Sequence, residues 1–189
     1  SSGMAEVIKS GIIGDVDLFD LVEIQAEQLT SGKHADLGLL AEIVGRSVEV
    51  KRKVVEEDPF EKGRRKILNF GHTIGHAIES YFLQKDEQKL LHGEAIAAGM
   101  ICEAYLSGKF SKLPESSVKS IENYIIKTFG RIRISPEDID EITKLCLQDK
   151  KNEKGIINFS LLEEIGNSVF NVGIEQNEIR NVLQLYTKL

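Results

Sequence analysis

Apolar residues recur at spacings of three and four along most of the chain, which is the periodicity of an amphipathic α-helix. The pattern predicts helices over residues 5–10 and 17–29, the second ending at Thr30-Ser31-Gly32. A longer helix follows and ends before Pro59, because the residue before a proline is pushed out of the helical region. Its predicted apolar stripe, interrupted by a lysine, comprises Leu40, Val44, Ser47, Val48, Lys51 and Val55.

Two further helices are predicted over residues 65–82 and 92–106. The core face of the first comprises Ile67, Ile74, Ile78 and Phe82. The second is rich in small residues, namely Gly93, Ala95, Ala97, Ala98 and Gly99. Small side chains allow two helices to approach closely, so we expect these helices to touch, with Gly71 and Gly75 in the contact.

The rest of the chain predicts two more helices, a hairpin and a final helix. The two helices follow Pro114 and Pro136, with Ser135 as the N-cap of the second. Strands at 156–162 and 169–172 flank the turn Gly166-Asn167-Ser168, and a last helix covers 177–188. The predicted fold class is mainly α, one multi-helix domain over residues 1–189 with a short β-hairpin near the C-terminus.

The composition of the 189 residues is that of a globular protein, with 41% hydrophobic and 29% charged residues. A net charge of -6 argues against a general binder of nucleic acid or anionic membranes. Cys102 and Cys146 predict neither a disulfide framework nor a metal-binding cysteine motif. Without a leader-like or membrane-length apolar segment we expect a cytoplasmic chain, and the opening Ser1-Ser2-Gly3 predicts that it is cut from a longer protein.

Three of the four histidines fall in one short window, at His72, His76 and His92. On a continuous helix with about 100° per residue, Arg65, Asn69, His72 and His76 occupy a sector of roughly 60° and form one polar stripe. A solvated helix face is typically made of Glu and Lys. A stripe of this composition therefore indicates the wall of a cleft.

Histidines four residues apart can share a metal ion, so spacing alone suggests His72 and His76 as ligands, with His92 as a third. His34 is assigned no role. Two interpretations of Lys51 stay open, a side chain that extends to solvent or a cation for an anionic group. The run at 149–152 is typical of a solvated turn, and the sequence contains neither a GxGxxG nor a GxxxxGK nucleotide motif.

Five motifs occur in order along the chain: GMAEVIK at 3–9, Lys51 with EKGRR at 61–65, LNFGHTIGHA at 68–77, HGEA at 92–95 and DKK at 149–151. Together they closely resemble the C-terminal part of the 3-dehydroquinate synthase family. Several motifs in register are far more specific than any one of them. The resemblance implies the fold of that family's mostly helical C-terminal domain.

At the matching positions, the resemblance implies a metal centre of Glu6, His72 and His92. It places His76 on the substrate as a proton-relay residue, which differs from the ligand set suggested by spacing, and the prediction follows the family. It also implies catalytic roles for Lys9 and for Glu61 as a supporting acid. The implied substrate contacts are Lys51, Arg65, Asn69 and either Lys150 or Lys151.

The implied reaction is that of a lyase in the shikimate pathway of aromatic amino acid biosynthesis. It converts 3-deoxy-D-arabino-heptulosonate 7-phosphate, a sugar acid phosphate, to 3-dehydroquinate and phosphate. The implied cofactors are Zn²⁺ or Co²⁺ and NAD, the latter held by an N-terminal domain that is absent from this chain. The resemblance further implies a homodimer of the full-length enzyme, and we expect this chain to be inactive alone.

Three alternatives stay open. Cyclases for other sugar phosphates would carry nearly the same metal and phosphate residues, although the carboxylate-binding pair Lys51 and Arg65 favours dehydroquinate synthase. A metal-dependent polyol or alcohol dehydrogenase of related fold would not need the lysines. A non-enzymatic helical module would bind no metal.

Overall fold

The computed structural model describes residues 2–25, 36–85, 90–148 and 155–189. In chain order they form α1 (Ser2–Gly14), α2 (Val16–Ile24), α3 (Leu37–Glu57), a 3-10 helix (Arg64–Asn69), α4 (His72–Leu83), α5 (His92–Phe110), α6 (Glu115–Phe129), α7 (Ile139–Gln148), β1 (Ile156–Glu164), β2 (Asn167–Glu175) and α8 (Gln176–Tyr186). The two strands pair antiparallel. The predicted mainly α fold with a C-terminal hairpin is confirmed. Within the described ranges, no helix combines the length and the apolarity that a bilayer crossing requires.

Helix α5 runs through the core, and most of its residues from Gly93 to Ser107 are buried. It packs against α4 at a contact made by glycines. A Cβ atom at Gly99 would lie 2.0 Å from the Gly71 carbonyl oxygen and 2.6 Å from the Gly75 nitrogen. The close helix contact predicted from small residues is therefore confirmed, and it brings together the two helices that carry the histidines.

We expect Gly99→Ala to lower the free energy of unfolding by about 3 kcal/mol, the upper end of the usual cost of overpacking, because backbone atoms cannot rotate away from the new methyl group. Gly45→Ala in α3 is the control, since a Cβ there meets nothing within 4 Å. Urea unfolding of both variants measures the difference. Equal stability of Gly99→Ala and the parent chain would show that the helices separate without cost.

The continuous helix predicted over residues 65–82 is wrong. The structure divides it into the 3-10 helix and α4, because Gly71 between them adopts a left-handed conformation with φ +80°. The predicted core residues Ile67, Ile74, Ile78 and Phe82 are nevertheless buried. The single polar stripe inferred from a continuous helix does not form, and Arg65 and Asn69 belong to a different element from His72 and His76.

The buried face predicted for α3 is also wrong. Val44 and Val48 are 53% and 60% exposed, and Lys51 is exposed with them. The residues that α3 buries are Ile43, Val50 and Val54. Both faces carry valines at helical spacing, so periodicity alone does not choose between them. The observed face packs on α1, where a Cβ at Gly14 would lie 3.0 Å from Val50 Cγ1. Ser47 of the predicted stripe lies at the edge of this contact, and its hydroxyl donates to the Ser10 hydroxyl at 3.0 Å.

The remaining differences are at the ends of elements. Both strands are longer than predicted, and Asn167 and Ser168 of the predicted turn are the first residues of β2. Helix α2 ends at Ile24, and residues 26–29 of the predicted helix lie outside the described residues. Helix α7 begins at Ile139 and not at Pro136, because a turn precedes it in which the Asp138 carboxylate accepts a hydrogen bond from the Ser135 N–H at 2.8 Å.

The hairpin connects the elements that carry the site. The Gly166 N–H donates to the Ile12 carbonyl of α1 at 2.7 Å, and the Ser160 hydroxyl donates to the Lys66 carbonyl of the 3-10 helix at 2.6 Å. The Leu162 N–H donates to a side-chain hydroxyl of α5 at 3.0 Å. These bonds fix α1, the 3-10 helix and α5 relative to one another.

Candidate metal centre

Three histidines from two helices meet where α4 packs on α5. His72 and His76 lie in the first two turns of α4, and His92 is the first residue of α5. Their ring centroids are 5.0 Å apart for His72 and His76, 6.0 Å for His72 and His92, and 5.9 Å for His76 and His92. One possible ligand nitrogen from each ring lies within 4.8 Å of the others. One metal ion can therefore be reached by all three side chains.

Hydrogen bonds fix the tautomer of two of these rings. His72 Nδ1 is 3.2 Å from the Phe70 carbonyl oxygen, and His92 Nδ1 is 3.0 Å from Glu79 Oε2. A carbonyl and a carboxylate only accept hydrogen bonds, so each Nδ1 must carry the proton. In the neutral ring the lone pair is then on Nε2, which is the arrangement of a metal-ligating histidine.

The Glu6 carboxylate of α1 faces this cluster, with Oε1 3.5 Å from His72 Nε2. The ammonium of Lys9, a residue only 4% exposed, donates to both Glu6 oxygens at 3.0 and 2.9 Å. Burial is the largest single influence on Glu6 and opposes its ionisation, but the charge and hydrogen bonds of Lys9, together with the nearby His72 and Lys51, hold the pKa of Glu6 below its ordinary value. Burial lowers the pKa of Lys9 despite the same pairing.

The charge states of these groups suit a divalent cation. Burial, followed by the charge of Lys9, lowers the pKa of His72 from 6.5 to about 4. His72 is therefore a neutral imidazole at neutral pH, beside an ionised Glu6. Deprotonated ligands are what metal binding requires.

Lys51 borders the cluster from α3. Its side chain is exposed. Burial and the Glu6–Lys9 pairing have larger effects on the pKa values of Glu6 and Lys9, but the charge of Lys51 also lowers both. Its ammonium is thus within electrostatic reach of the buried pair. Of the two interpretations of Lys51, solvent exposure is observed, and a role toward an anionic ligand remains a prediction.

The segment between α3 and α4, a loop followed by the 3-10 helix, carries Glu61, Arg65 and Asn69. Asn69 Nδ2 donates to Glu61 Oε1 at 3.0 Å, and Arg65 Nη1 donates to the Pro59 carbonyl at 2.8 Å. The Asp58 carboxylate organises the loop by accepting N–H groups of residues 62, 63 and 65. Glu61 has φ +54°, a conformation that costs free energy in a residue with a side chain.

A cavity of about 210 Å³ adjoins this loop. It is lined by Glu61, Lys66, Asn69, Asn158, Phe159, Ser160 and Asn171. The hairpin and the 3-10 helix thus share a polar pocket that contains two of the predicted site residues.

Over residues 3–152 the sequence matches the family described as 3-dehydroquinate synthase C-terminal. The chain belongs to the 3-dehydroquinate synthase family. It is 40% identical over 191 residues to the 3-dehydroquinate synthase of Parabacteroides distasonis and 39% identical over 184 residues to that of Thermodesulfovibrio yellowstonii. These alignments cover 98% and 96% of this chain but 51% and 49% of the relatives. The chain spans about half the length of the curated relatives it matches.

Solved structures of sugar phosphate cyclases share the fold. The 2-epi-5-epi-valiolone synthase of Streptomyces hygroscopicus subsp. jinggangensis 5008, with NAD⁺ and Zn²⁺ bound, has a TM-score of 0.81 at 23% identity, over 99% of this chain and 51% of its own. A 2-deoxy-scyllo-inosose synthase complexed with carbaglucose-6-phosphate, NAD⁺ and Co²⁺ has a TM-score of 0.77 at 26% identity, over 97% and 50%. The family resemblance of the five motifs is confirmed.

The structure brings together five of the residues that the 3-dehydroquinate synthase motifs assign to the site: Glu6, Lys9, His72, His76 and His92. Glu61 and Asn69 are together in the cavity beside the hairpin. His34, Lys150 and Lys151 lie outside the described residues. The two ligand sets of the sequence analysis share one cluster, so the choice between them remains a prediction.

His76 also faces a second space, a cavity of about 460 Å³. Its other lining residues are Ala77, Glu79, Ser80, Leu145 and Gln148. Gln148 is the last described residue before the segment that contains Lys150 and Lys151. In the sequence, the DKK motif at 149–151 therefore follows directly after a residue that lines the same cavity as His76.

The sequence did not reveal two carboxylates that contact the histidine-bearing helices of this site. Glu79, which accepts the His92 Nδ1–H, follows His72 by seven residues and His76 by three, so helical spacing alone would have placed it on their face. Glu103 accepts backbone N–H groups at the start of α4. Its signal was a lone charge inside the apolar, small-residue run of α5.

Proposed function

We propose that this chain is the metal- and substrate-binding half of a 3-dehydroquinate synthase. The reaction converts 3-deoxy-D-arabino-heptulosonate 7-phosphate to 3-dehydroquinate and phosphate, with NAD held by an N-terminal domain. The observation that carries the proposal is the cluster in which two Nδ1-anchored imidazoles, a carboxylate and a buried lysine converge. The proposal includes the homodimer that the family resemblance implies and the cytoplasmic location expected from the sequence.

The metal ligands in this proposal are Glu6, His72 and His92. One carboxylate oxygen and two imidazole nitrogens form a common zinc donor set that leaves coordination positions open. Both proposed histidine ligands have Nδ1 bound to an acceptor, which directs Nε2 to the ion. Glu6 can keep Oε2 on Lys9 while Oε1 faces His72. His76 is left for the substrate.

A bound Zn²⁺ or Co²⁺ would lower the pKa of a substrate hydroxyl and polarise the carbonyl formed from it. The side chains of this chain orient the ligands, relay a proton and bind the substrate. Lys9 holds the orientation of Glu6 through two hydrogen bonds. His76 relays a proton beside the 460 Å³ cavity. Lys150 or Lys151 binds the substrate phosphate as a point charge.

Lys51 and Arg65 bind the substrate carboxylate in this proposal, since guanidinium and ammonium groups pair with carboxylate by charge-assisted hydrogen bonds. The alternative function is that of another sugar phosphate cyclase, and it is favoured by the two structural neighbours. One of them binds carbaglucose-6-phosphate, a ligand without a carboxylate. The two functions therefore differ in whether a carboxylate contributes to binding.

With the zinc-loaded chain, we expect the seven-carbon acid phosphate to bind more tightly than glucose 6-phosphate. Lys51→Ala and Arg65→Ala should each weaken binding of the acid about 10-fold or more, the usual worth of a hydrogen bond to a charged group, and leave glucose 6-phosphate nearly unaffected. Titration calorimetry measures both ligands. The control is Lys53→Ala, an exposed lysine two residues further along α3. Equal affinity for the two ligands in the parent chain would favour the other cyclases.

A further inference from the structure

Glu103 is a fully buried carboxylate in α5, at 0% exposure. Its two oxygens accept backbone hydrogen bonds from a single turn, Oε2 from the Gly71 N–H at 2.6 Å and Oε1 from the Ile74 N–H at 3.1 Å. Burying a charge costs free energy unless it is paired or hydrogen-bonded. A buried carboxylate at this position therefore needs interactions that offset the cost of burial. Its hydrogen-bond partners indicate the role of the residue.

The partners of Glu103 lie at the start of α4. The first N–H groups of a helix have no partner inside the helix, and a side chain at the N-cap usually supplies one. Gly71 occupies that position with φ +80° and has no side chain to offer. A Cβ there would lie 2.4 Å from Met100 Cγ and 3.2 Å from Met100 N. A side chain at position 71 is disfavoured by both the backbone conformation and the space, and the structure supplies the cap from another helix, through Glu103.

His72 lies between the two residues that Glu103 holds. Gly71 precedes it directly and Ile74 follows it by two, so the backbone on both sides of His72 is fixed by one carboxylate. A negative charge close to the N-terminus of α4 is also electrostatically stabilising, because that end of the helix dipole is positive. The His72 ring is then oriented by its bond to the Phe70 carbonyl, on the residue before Gly71.

A second carboxylate contact lies at the other end of the same antiparallel helix pair. There Glu79 of α4 accepts from His92 of α5. Between these two carboxylate contacts, the backbone of Gly71 and Gly75 lies against Gly99. The position of α4 along α5, and with it the 6.0 Å separation of the His72 and His92 rings, is thus set at both ends.

We propose that Glu103 is a positioning residue for the metal centre. It holds the first turn of α4 so that His72 Nε2 faces Glu6 and His92 in one fixed orientation. The proposal rests on the proposed function only insofar as the cluster binds a metal. The orientation of His72 in the metal-free chain is independent of that function.

The test is Glu103→Gln in the 189-residue chain. Glutamine keeps the shape of the side chain but presents an NH₂ group to one of the two backbone donors. We expect Co²⁺ affinity to fall about 10- to 100-fold, as when an outer partner of a metal ligand is lost. In the metal-free chain, imidazole ¹⁵N spectra should show His72 changing from a single Nδ1–H tautomer to a mixture.

Glu122→Gln is the matched control. Glu122 is also a buried carboxylate, 8% exposed, but it accepts from the side chains of Tyr105 and Lys119. It should lower the melting temperature without changing Co²⁺ affinity or the His72 tautomer. A folded Glu103→Gln variant with parental affinity and a parental His72 spectrum would overturn the proposal.

Glu103→Asp covers the case in which Glu103→Gln does not fold. The shorter side chain keeps the charge but reaches only one of the two N–H groups, so we expect an intermediate loss of affinity and a partial tautomer mixture. Parental values for Glu103→Asp would count against the proposal. If the parent chain itself bound no Co²⁺, the proposed metal function would fail, while the His72 spectra of the variants would still decide the role of Glu103.

Discussion

Replacing His92 with alanine is expected to abolish zinc binding by the 189-residue chain. Under the proposed ligand set, His92 supplies one of three protein ligands, and its Nδ1 is already held by Glu79 at 3.0 Å. Losing the ligand itself should cost more than the roughly 100-fold that loss of its outer partner costs. Metal content after dialysis, together with a Co²⁺ titration, measures the effect.

His76→Ala is the comparison variant, because His76 belongs to the same cluster. We expect it to keep the metal, since His76 acts on the substrate in this account. The opposite result, with metal retained in His92→Ala and lost in His76→Ala, would show that the ligands are a helical pair four residues apart. The family assignment of His92 to the metal and of His76 to the substrate would then be wrong.

The second large effect concerns catalysis. A polypeptide of these 189 residues is expected to form no 3-dehydroquinate from the phosphorylated substrate, even with NAD and zinc supplied. In the proposed function the substrate is first oxidised by hydride transfer to NAD, and the sequence has no glycine-rich turn that could place a pyrophosphate against a helix N-terminus. If the N-terminal domain supplies the other wall of the site, the chain alone also fails to exclude water.

Phosphate release and product absorbance measure turnover in this assay. A full-length relative, such as the 3-dehydroquinate synthase of Parabacteroides distasonis, is the positive control. Turnover by the 189-residue chain at a rate near that of the relative would mean that NAD binds within these residues. That result would contradict the proposal that an N-terminal domain holds NAD.

The sequence predicted the helices and the hairpin well because their signals are local. Ile67, Ile74, Ile78 and Phe82 are buried as their spacing requires, although the helix that was to carry them is broken at Gly71. The break lies at Gly71, where φ is +80° and a Cβ would lie 2.4 Å from Met100 Cγ of α5. A partner 29 residues away along the chain gives no signal in the periodicity around Gly71.

The same limit explains the error on α3. Both of its faces carry valines at helical spacing, and the choice between them depends on the packing against α1, such as that of Val50 on Gly14. For the site, the motifs identified the cluster residues Glu6, Lys9, His72, His76 and His92. They did not identify Glu79 or Glu103, whose contacts with His92 and with the first turn of the neighbouring helix arise only when α4 packs on α5.

The central claim, that this chain is the metal- and substrate-binding half of a 3-dehydroquinate synthase, is tested most directly by a chimera. In it, the 189 residues replace the matching half of the Parabacteroides distasonis relative, to which they are 40% identical. The measurement is the rate of 3-dehydroquinate formation from 3-deoxy-D-arabino-heptulosonate 7-phosphate with NAD and zinc. We predict turnover that is lost on His92→Ala. A folded chimera that binds NAD and zinc but cyclises only sugar phosphates without a carboxylate would contradict the claim.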